Sequence, residues 1–320
     1  MMFRSAFSVV SPAGKRARLS TLIFHRVLAE PDQLFPNEPD VARFDEMMRW
    51  VKHWFNVLPL EEAVARLKSG NLPARAASIT FDDGYADNLI YATPVLKEHG
   101  LHATFFIATG FLDGGRMWND TVIQSIRCTE QTIIDARFLE LGHLSVGSTK
   151  DKQAALAHLI PVIKHLPGEQ RSIAVTRIAD SCQAQLPDDL MLTSSQLKTL
   201  RNFGMGIGAH TVNHPILTRI GDQLARREIA EGRDFLEGLL RERIGLFAYP
   251  NGRIANDYTL SHANLVKGLG FDAALTTNWG VSRPNTDIYQ LPRFTPWDRT
   301  RTRFGLRLLI NTRQTDKSRQ

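Results

Sequence analysis

Short apolar runs alternate with amphipathic segments along most of this chain. The runs Leu19–Phe24, 77–81 and 103–108 are continuous, and each closes on polar residues, which is typical of buried strands. Between the strands, apolar residues recur at helical spacing, as in 44–53 and in Leu60–Ser69, where Gly70 follows as a stop signal.

The same patterns continue through the second half of the chain. They predict further strands at 55–58, 204–209, 246–249 and 273–277 and further helices at 88–99, 224–243 and 256–269. Residues 116–200 are mostly helical in pattern, with breaks at glycine and proline, and we interpret them as an insertion. Strands that alternate with helices predict an α/β fold with a parallel sheet covered by helices.

Polar side chains of interest fall where the predicted strands end. They are His25, Asp82, Asp83, His210 and the turn Tyr249-Pro250-Asn251. In a parallel β/α barrel the carboxyl ends of all strands share one face, and the active site lies there. Residues far apart in sequence are therefore expected to converge.

Composition limits the classes of partner. The chain has 320 residues, 43% of them hydrophobic, which is enough for a sizeable core, and a net charge of +6. Lysine and arginine are scattered, with no interleaved basic and aromatic stripe, so nucleic acid is not expected as a partner. The one local excess is in the tail at 301–320; we favour a solvated end, with contact to an anionic polymer or membrane surface as the alternative.

Neither a secretory signal nor a membrane span is predicted. The first 20 residues carry basic groups but no apolar core, and no stretch approaches the roughly 20 apolar residues that cross a bilayer. We therefore expect a cytoplasmic protein, with peripheral membrane association left open. The sequence leaves the oligomeric state undetermined.

The pair Asp82-Asp83 and the pair His210 and His214 suggest a metal site. Alone, Asp-Asp-Gly is an ordinary turn sequence, and histidines four residues apart are common on helices. Together, one aspartate and two histidines can hold one divalent ion and leave positions open for water and substrate, and zinc is the leading candidate. The second aspartate then remains beside the ion as a base.

Two sequence motifs resemble those of the polysaccharide deacetylases in the NodB-homology carbohydrate esterase family. They are Thr80-Phe-Asp-Asp-Gly84 and His210-Thr-Val-Asn-His-Pro215, preceded by His25-Arg26-Val27 at the end of the first strand. The resemblance covers residues 19–297 and implies a distorted (β/α)7 barrel that removes an N-acetyl group from an amino sugar. It also implies that Asp83, His210 and His214 bind the metal and that Asp82 is the general base.

The chain departs from the family at the third motif, which reads Ala248-Tyr-Pro-Asn-Gly252 here. The resemblance implies that the backbone N–H of Asn251 holds the oxyanion. Arg293 is our candidate for orienting the base, with a surface salt bridge as its alternative. His25 is our candidate for protonating the leaving amine, because the family's late histidine is absent; its alternative is a structural role.

Two aromatic residues are candidate sugar contacts, Tyr249 and Trp118, although a tryptophan at such a position more often closes a core. We expect three regions: an extension at 1–18, a barrel at 19–300 that contains the insertion, and the tail. The expected substrate is a glycan of the exopolysaccharide or cell envelope. Peptidoglycan, a lipid-linked sugar and a non-catalytic sugar-binding barrel are the alternatives, and the spare base argues against the last.

Overall fold

The computed structural model describes residues 2–313, and a parallel sheet forms its centre. Its strands are β1 (Leu19–Phe24), β2 (Asn56–Val57), β3 (Ala76–Phe81), β4 (Ala103–Ile107), β7 (Gly206–Ala209), β8 (Leu246–Ala248) and β9 (Ala273–Leu275). The order in space is β1-β3-β4-β7-β8-β9, and β2 pairs with the start of β3. Every pair in this sheet is parallel.

A short closing segment, residues 291–294, joins the two edges of the sheet. Leu291 forms a parallel bridge to Leu275 of β9, and Phe294 forms one to Leu22 of β1. The backbone N–H of Phe294 donates to the carbonyl of Thr21 at 2.8 Å. The sheet is thus curled into a ring, and the predicted distorted (β/α)7 barrel is confirmed.

Helices cover the outside of the barrel. They are α2 (Val41–Trp54), α3 (Leu60–Ser69), α4 (Thr93–Glu98), α8 (Ser194–Asn202), α9 (Asp222–Leu240) and α10 (Leu260–Gly268). Local signals fix their ends: Asp40 caps α2 by accepting from the Arg43 N–H, and Gly70 ends α3 with a φ of 68°. A π-helix, Asn88–Ala92, precedes α4, so the single helix predicted at 88–99 is wrong in its first turns.

The insertion packs around an apolar cluster of its own. It contains α5 (Trp118–Cys128), α6 (Thr149–Lys164) and α7 (Gly168–Cys182), whose buried residues include Ile126, Leu159 and Ile178. The helical prediction is confirmed for these segments. It missed an antiparallel hairpin of two three-residue strands, β5 (Ile133–Asp135) and β6 (His143–Ser145), which are too short to show a period.

Both ends of the described chain are helical and packed on the barrel. The extension contains α1 (Met2–Val10), and the tail contains α11 (Arg301–Arg313). Phe304 and Leu308 of α11 are fully buried, so the solvated tail predicted from charge is wrong for residues 301–313; residues 314–320 lie outside the described part. Among residues 2–313, no helix has the length and apolar content needed to span a bilayer.

Candidate active site

The strand ends bring the predicted polar residues together at one face of the barrel. Phe24 pairs with Phe81, so His25 and Asp82 leave neighbouring strands side by side. Ala209 pairs with both Ile107 and Phe247, which places His210 next in the ring. The expected convergence is therefore present.

The turn after β3 lets two consecutive aspartates serve one site. Successive side chains of a strand point to opposite faces, but Asp83 has a φ of 78° and Gly84 a φ of 89°. A left-handed aspartate is strained by roughly 1–3 kcal/mol, and such strain is concentrated at functional sites. The chain bends there, and both carboxylates are buried against the same histidine.

Asp83, His210 and His214 form a set suited to a metal ion. Their donor atoms all lie within 4.8 Å of one another. The Nε2 atoms of both histidines lie 3.4 Å from Asp83 Oδ1. Among the residues that the structure describes, no hydrogen-bond donor satisfies this buried oxygen. A buried, unpaired carboxylate oxygen facing two imidazole nitrogens fits a divalent ion, since such an atom is costly without a partner.

The protonation of the two histidines also suits a ligand role. His210 Nδ1 lies 2.7 Å from the carbonyl oxygen of Ala248 and donates to it, which leaves Nε2 facing Asp83. Burial lowers the pKa of His214 to about 4, against the opposing charge of Asp83, so this imidazole is neutral near pH 7. Burial disfavours charge on His210 as well, but Asp82 and Asp83 outweigh it and raise its pKa.

A buried arginine holds Asp82. Arg293 donates from both terminal nitrogens to the two oxygens of Asp82, each at 2.7 Å, and from Nε to the Thr276 carbonyl at 2.8 Å. Its exposed fraction is 0%, so the surface salt bridge that we weighed for Arg293 is wrong. Burial opposes ionisation of Asp82, but Arg293 and His210 outweigh it and lower its pKa.

The loop between the two histidines is a tight turn clamped from outside. Thr211 and His214 have φ values of 66° and 51°. Glu228 of α9 accepts from the backbone N–H groups of Val212 at 3.0 Å and Asn213 at 2.8 Å. It also accepts from the Asn213 side chain at 2.8 Å. The sequence interpretation missed Glu228; its signal was a carboxylate on the apolar face of a helix.

Two cavities meet at this face. The first, about 880 Å³, is lined by Asp83 and by residues of the insertion such as Arg127 and Lys152. The second, about 940 Å³, is lined by Asn251 and two half-exposed tryptophans, Trp279 and Trp297. His25 lines both cavities. It is exposed and lies at the junction, where a group attached to a bound ligand can reach it.

Asn251 lies at the rim of the second cavity in a left-handed conformation, with a φ of 59°. Its carbonyl accepts from the Thr277 hydroxyl at 2.5 Å. Within residues 2–313, no acceptor takes the backbone N–H of Asn251. That donor is available to a ligand in the cavity.

The two aromatic sugar contacts expected from the sequence are not at the cavities. Tyr249 is fully buried and stacks on Tyr258 with ring centroids 3.9 Å apart, and its hydroxyl donates to the Tyr289 carbonyl. Trp118 packs against the apolar cluster of the insertion. Both expectations are wrong, because apolar packing claims the two rings.

A neighbour of Trp118 reaches the first cavity instead. Asp120 lines it and accepts from the Tyr85 hydroxyl, which lies 3.1 Å from each carboxylate oxygen. Burial raises the pKa of Asp120 to about 6, against the charge of Arg26 and with the support of Asp83. The sequence interpretation stopped at the tryptophan two residues earlier and missed this carboxyl group.

Comparison with known proteins agrees with this geometry. The family model described as polysaccharide deacetylase matches residues 69–133 and 151–274, together more than half of the chain. The relative named "Putative polysaccharide deacetylase YxkH" of Bacillus subtilis (strain 168) is 23% identical over 281 residues, which cover 87% of this chain and 71% of that protein.

Two further similarities are informative. A poly-beta-1,6-N-acetyl-D-glucosamine N-deacetylase of Staphylococcus aureus (strain MSSA476) is 39% identical over 72 residues, which cover 22% of this chain and 24% of that protein. The solved Streptococcus pyogenes deacetylase PplD, in complex with acetate, aligns with a TM-score of 0.63 at 19% identity, over 93% of this chain and 99% of that one. The latter likeness shows the shared fold.

Proposed function

The chain belongs to the polysaccharide deacetylase family of amide hydrolases, and from that premise we propose that it removes N-acetyl groups from amino sugars within a glycan chain with the help of one divalent metal. One observation carries this proposal. A buried carboxylate, Asp82, is fixed by Arg293 and lies 4.0 Å from the imidazole of His210, which belongs to the proposed metal set.

The residues present fit a zinc ion. Asp83, His210 and His214 would hold it, since one carboxylate and two neutral imidazoles are a common donor set for catalytic zinc. An ion bound there supplies Lewis-acid chemistry, because it acidifies a water molecule and polarises a carbonyl oxygen.

The protein's own residues perform the proton transfers. Asp82 takes a proton from the water that attacks the acetamide carbon, and Arg293 keeps both carboxylate oxygens in place. The backbone N–H of Asn251 donates to the oxyanion. His25 gives a proton to the amine as the carbon–nitrogen bond breaks, which leaves acetate and a free amino sugar.

The two cavities support a polymeric substrate. Each is large enough for a sugar unit, and the site lies where they meet, so units on both sides of the reacting acetamide find a wall. The exposed rings of Trp279 and Trp297 offer stacking surfaces on one side. The name of the staphylococcal relative favours β-1,6-linked N-acetylglucosamine as the first polymer to test.

The test is acetate release from β-1,6-linked and β-1,4-linked N-acetylglucosamine oligomers. We expect release that is lost after chelation and restored by zinc, with a preference for the β-1,6 linkage. A preference for β-1,4 oligomers or peptidoglycan fragments would redirect the substrate. Binding of oligomers without acetate release under any metal would instead identify a sugar-binding barrel.

Metal analysis tests the ligand set separately. His210→Ala and His214→Ala should each lower metal content, because each removes one donor. His158→Ala is the matched control, since His158 is exposed on α6. Full metal occupancy in both site variants would reject the assignment. The cytoplasmic location expected from the sequence also stays a prediction, which cell fractionation tests.

A further inference from the structure

The two terminal helices lie side by side on the same support. Phe3 and Phe7 of α1 and Phe304 of α11 all pack against Trp54 of α2, with ring centroids between 5.1 and 6.0 Å. Phe3 also meets Gly305 so closely that a Cβ there would lie 2.6 Å from the ring. Since both helices are buried against one residue of α2, their opposite sides share one outward surface.

The helices run in the same direction, which places their outward residues at matching heights. Phe3 near the start of α1 contacts Gly305 near the start of α11. At the other end, Ser11 just past α1 is hydrogen-bonded to Arg18, and Arg18 donates to the carbonyl of Thr312. Val9 is therefore level with the last turns of α11.

The outward surface combines apolar and basic groups. On α11, a turn of 3.6 residues places Arg303, Leu306, Ile310 and Arg313 opposite the buried Phe304. Leu306 and Ile310 are 49% and 58% exposed, and Val9 on α1 is 80% exposed. We call the surface formed by Val9, Arg303, Leu306, Ile310 and Arg313 the terminal-helix face.

The positive charge of the whole chain is concentrated around this face. Residues 1–18 and 298–313 contain nine lysines and arginines and one acid, Asp298, which pairs with Arg307 at 2.6 Å. Their net charge of +8 exceeds the +6 of the full chain, so the remainder is net negative. The charge is thus an asymmetry between surfaces rather than a property of the whole protein.

We propose that the terminal-helix face docks the protein on the surface of an anionic lipid bilayer. Exposed aliphatic side chains flanked by arginines suit a boundary where acyl chains lie beneath anionic headgroups. An anionic polymer would leave Leu306 and Ile310 without apolar partners. A second copy of the chain would bring two strongly positive surfaces into contact, which is unfavourable.

The face adjoins the wall of the second cavity. The Arg307 guanidinium on α11 lies 4.5 Å from the ring centroid of Trp297 and 5.1 Å from that of Trp279, and both tryptophans line this cavity. Docking would therefore hold that cavity close to the lipid surface. The inference concerns location and holds whether or not the proposed deacetylation is correct.

Co-sedimentation with vesicles tests the proposal. The full-length protein should bind vesicles of equimolar phosphatidylcholine and phosphatidylglycerol at least about tenfold more tightly than vesicles of phosphatidylcholine alone. Replacing Leu306 and Ile310 together by serine should weaken binding to the anionic vesicles by about tenfold, because the apolar contact is lost. Replacing Arg303 and Arg313 together by glutamine should do the same through charge.

A matched control replaces exposed apolar groups elsewhere. Phe203 and Phe235 are each 43% exposed, just past the end of α8 and on α9, and replacing both by serine should leave vesicle binding unchanged. Thermal unfolding of every variant shows whether it is folded. An unfolded Leu306 and Ile310 double variant is replaced by the single variant Ile310→Ser, which alters the more exposed side chain.

Three results would overturn the proposal. The first is equal binding to both kinds of vesicle, or to neither. The second is binding that the arginine variant abolishes and the aliphatic variant leaves intact, which would identify adsorption to any polyanion. The third is light scattering that shows a dimer which the aliphatic variant dissociates, which would identify a second copy as the occupant.

Discussion

Arg293 grips Asp82 across 211 positions of sequence, with both terminal nitrogens 2.7 Å from the two carboxylate oxygens and both side chains out of contact with water. Each ion makes the burial of the other tolerable. Removing one partner of such a pair typically costs about 3–5 kcal/mol, because the other charge is left buried alone. The pair therefore fixes the geometry of the proposed base and also sets the pH range in which it is ionised.

Arg293→Met should shift the acid limb of the pH profile of kcat/KM to higher pH. Burial raises the pKa of Asp82, and Arg293 is the main group that lowers it, so without the arginine the carboxylate ionises only at higher pH. Arg293→Lys should shift the limb less, since it keeps the charge but loses the fork.

The control for that profile is Arg243→Met. Arg243 pairs with Asp272 on the surface, where water screens the charges, so its loss should leave the acid limb in place. An acid limb that stays unmoved in Arg293→Met would show that another group titrates there.

Asp82→Asn should keep the metal and lose turnover. The amide preserves the shape of the side chain but cannot accept a proton from water, so kcat should fall on the order of 10²-fold or more. Metal content measured on the same preparation separates this outcome from loss of the ion. Near-normal turnover with bound metal would make Asp82 structural.

The sequence carried most of the fold because its strands are short, apolar and separated by strong stop signals. Leu19–Phe24 and Leu60–Ser69 match their predicted bounds, and the remaining barrel strands differ by a residue or two at their ends. The hairpin of the insertion escaped because three-residue strands show no period. The terminal helix α11 escaped because its arginines suggested solvent, while its buried side carries only Phe304 and Leu308 as large apolar residues.

The site was partly predictable for a similar reason. Motif residues at strand ends, such as Asp83 and His214, can be identified from spacing alone. Tyr249 occupies a motif position, yet its ring turns into the stack with Tyr258, which only tertiary packing decides. Glu228 lies on a helix with no motif, and its partners are backbone groups that no sequence pattern reveals.

His25→Ala should slow hydrolysis of an N-acetyl amide strongly and that of an activated aryl acetate ester much less. The amine is a poor leaving group and needs a proton, whereas the activated phenolate leaves without one. His102→Ala is the control, because His102 is exposed just before β4, at the opposite end of the barrel. Equal losses on the two substrates, with metal content unchanged, would reject His25 as the acid.

Glu228→Gln should weaken metal binding by roughly 10- to 100-fold, the scale seen when groups that orient metal ligands are removed. The glutamine can accept one backbone N–H but not both with the strength of a carboxylate, so the turn from His210 to His214 loosens. Glu228→Ala should weaken binding further.

Zinc titration of the metal-free protein, followed by its thermal unfolding temperature, measures this effect without any substrate. Glu231→Gln is the matched control, since Glu231 is exposed on the same helix. A zinc affinity that is equal in Glu228→Gln and Glu231→Gln would show that the clamp does not act on the ligands.

The closing segment at 291–294 separates two events in the life of the polypeptide. A ribosome completes Asp83, His210 and His214 well before it reaches Arg293, so an unfinished chain already contains every proposed metal ligand. Its carboxylate at Asp82 has no arginine until the ring is shut. Proteolytic removal of the residues after 290 would return the protein to that earlier state, with its metal donors intact and its base without a partner. Completion of the barrel thus acts as the step that arms the enzyme.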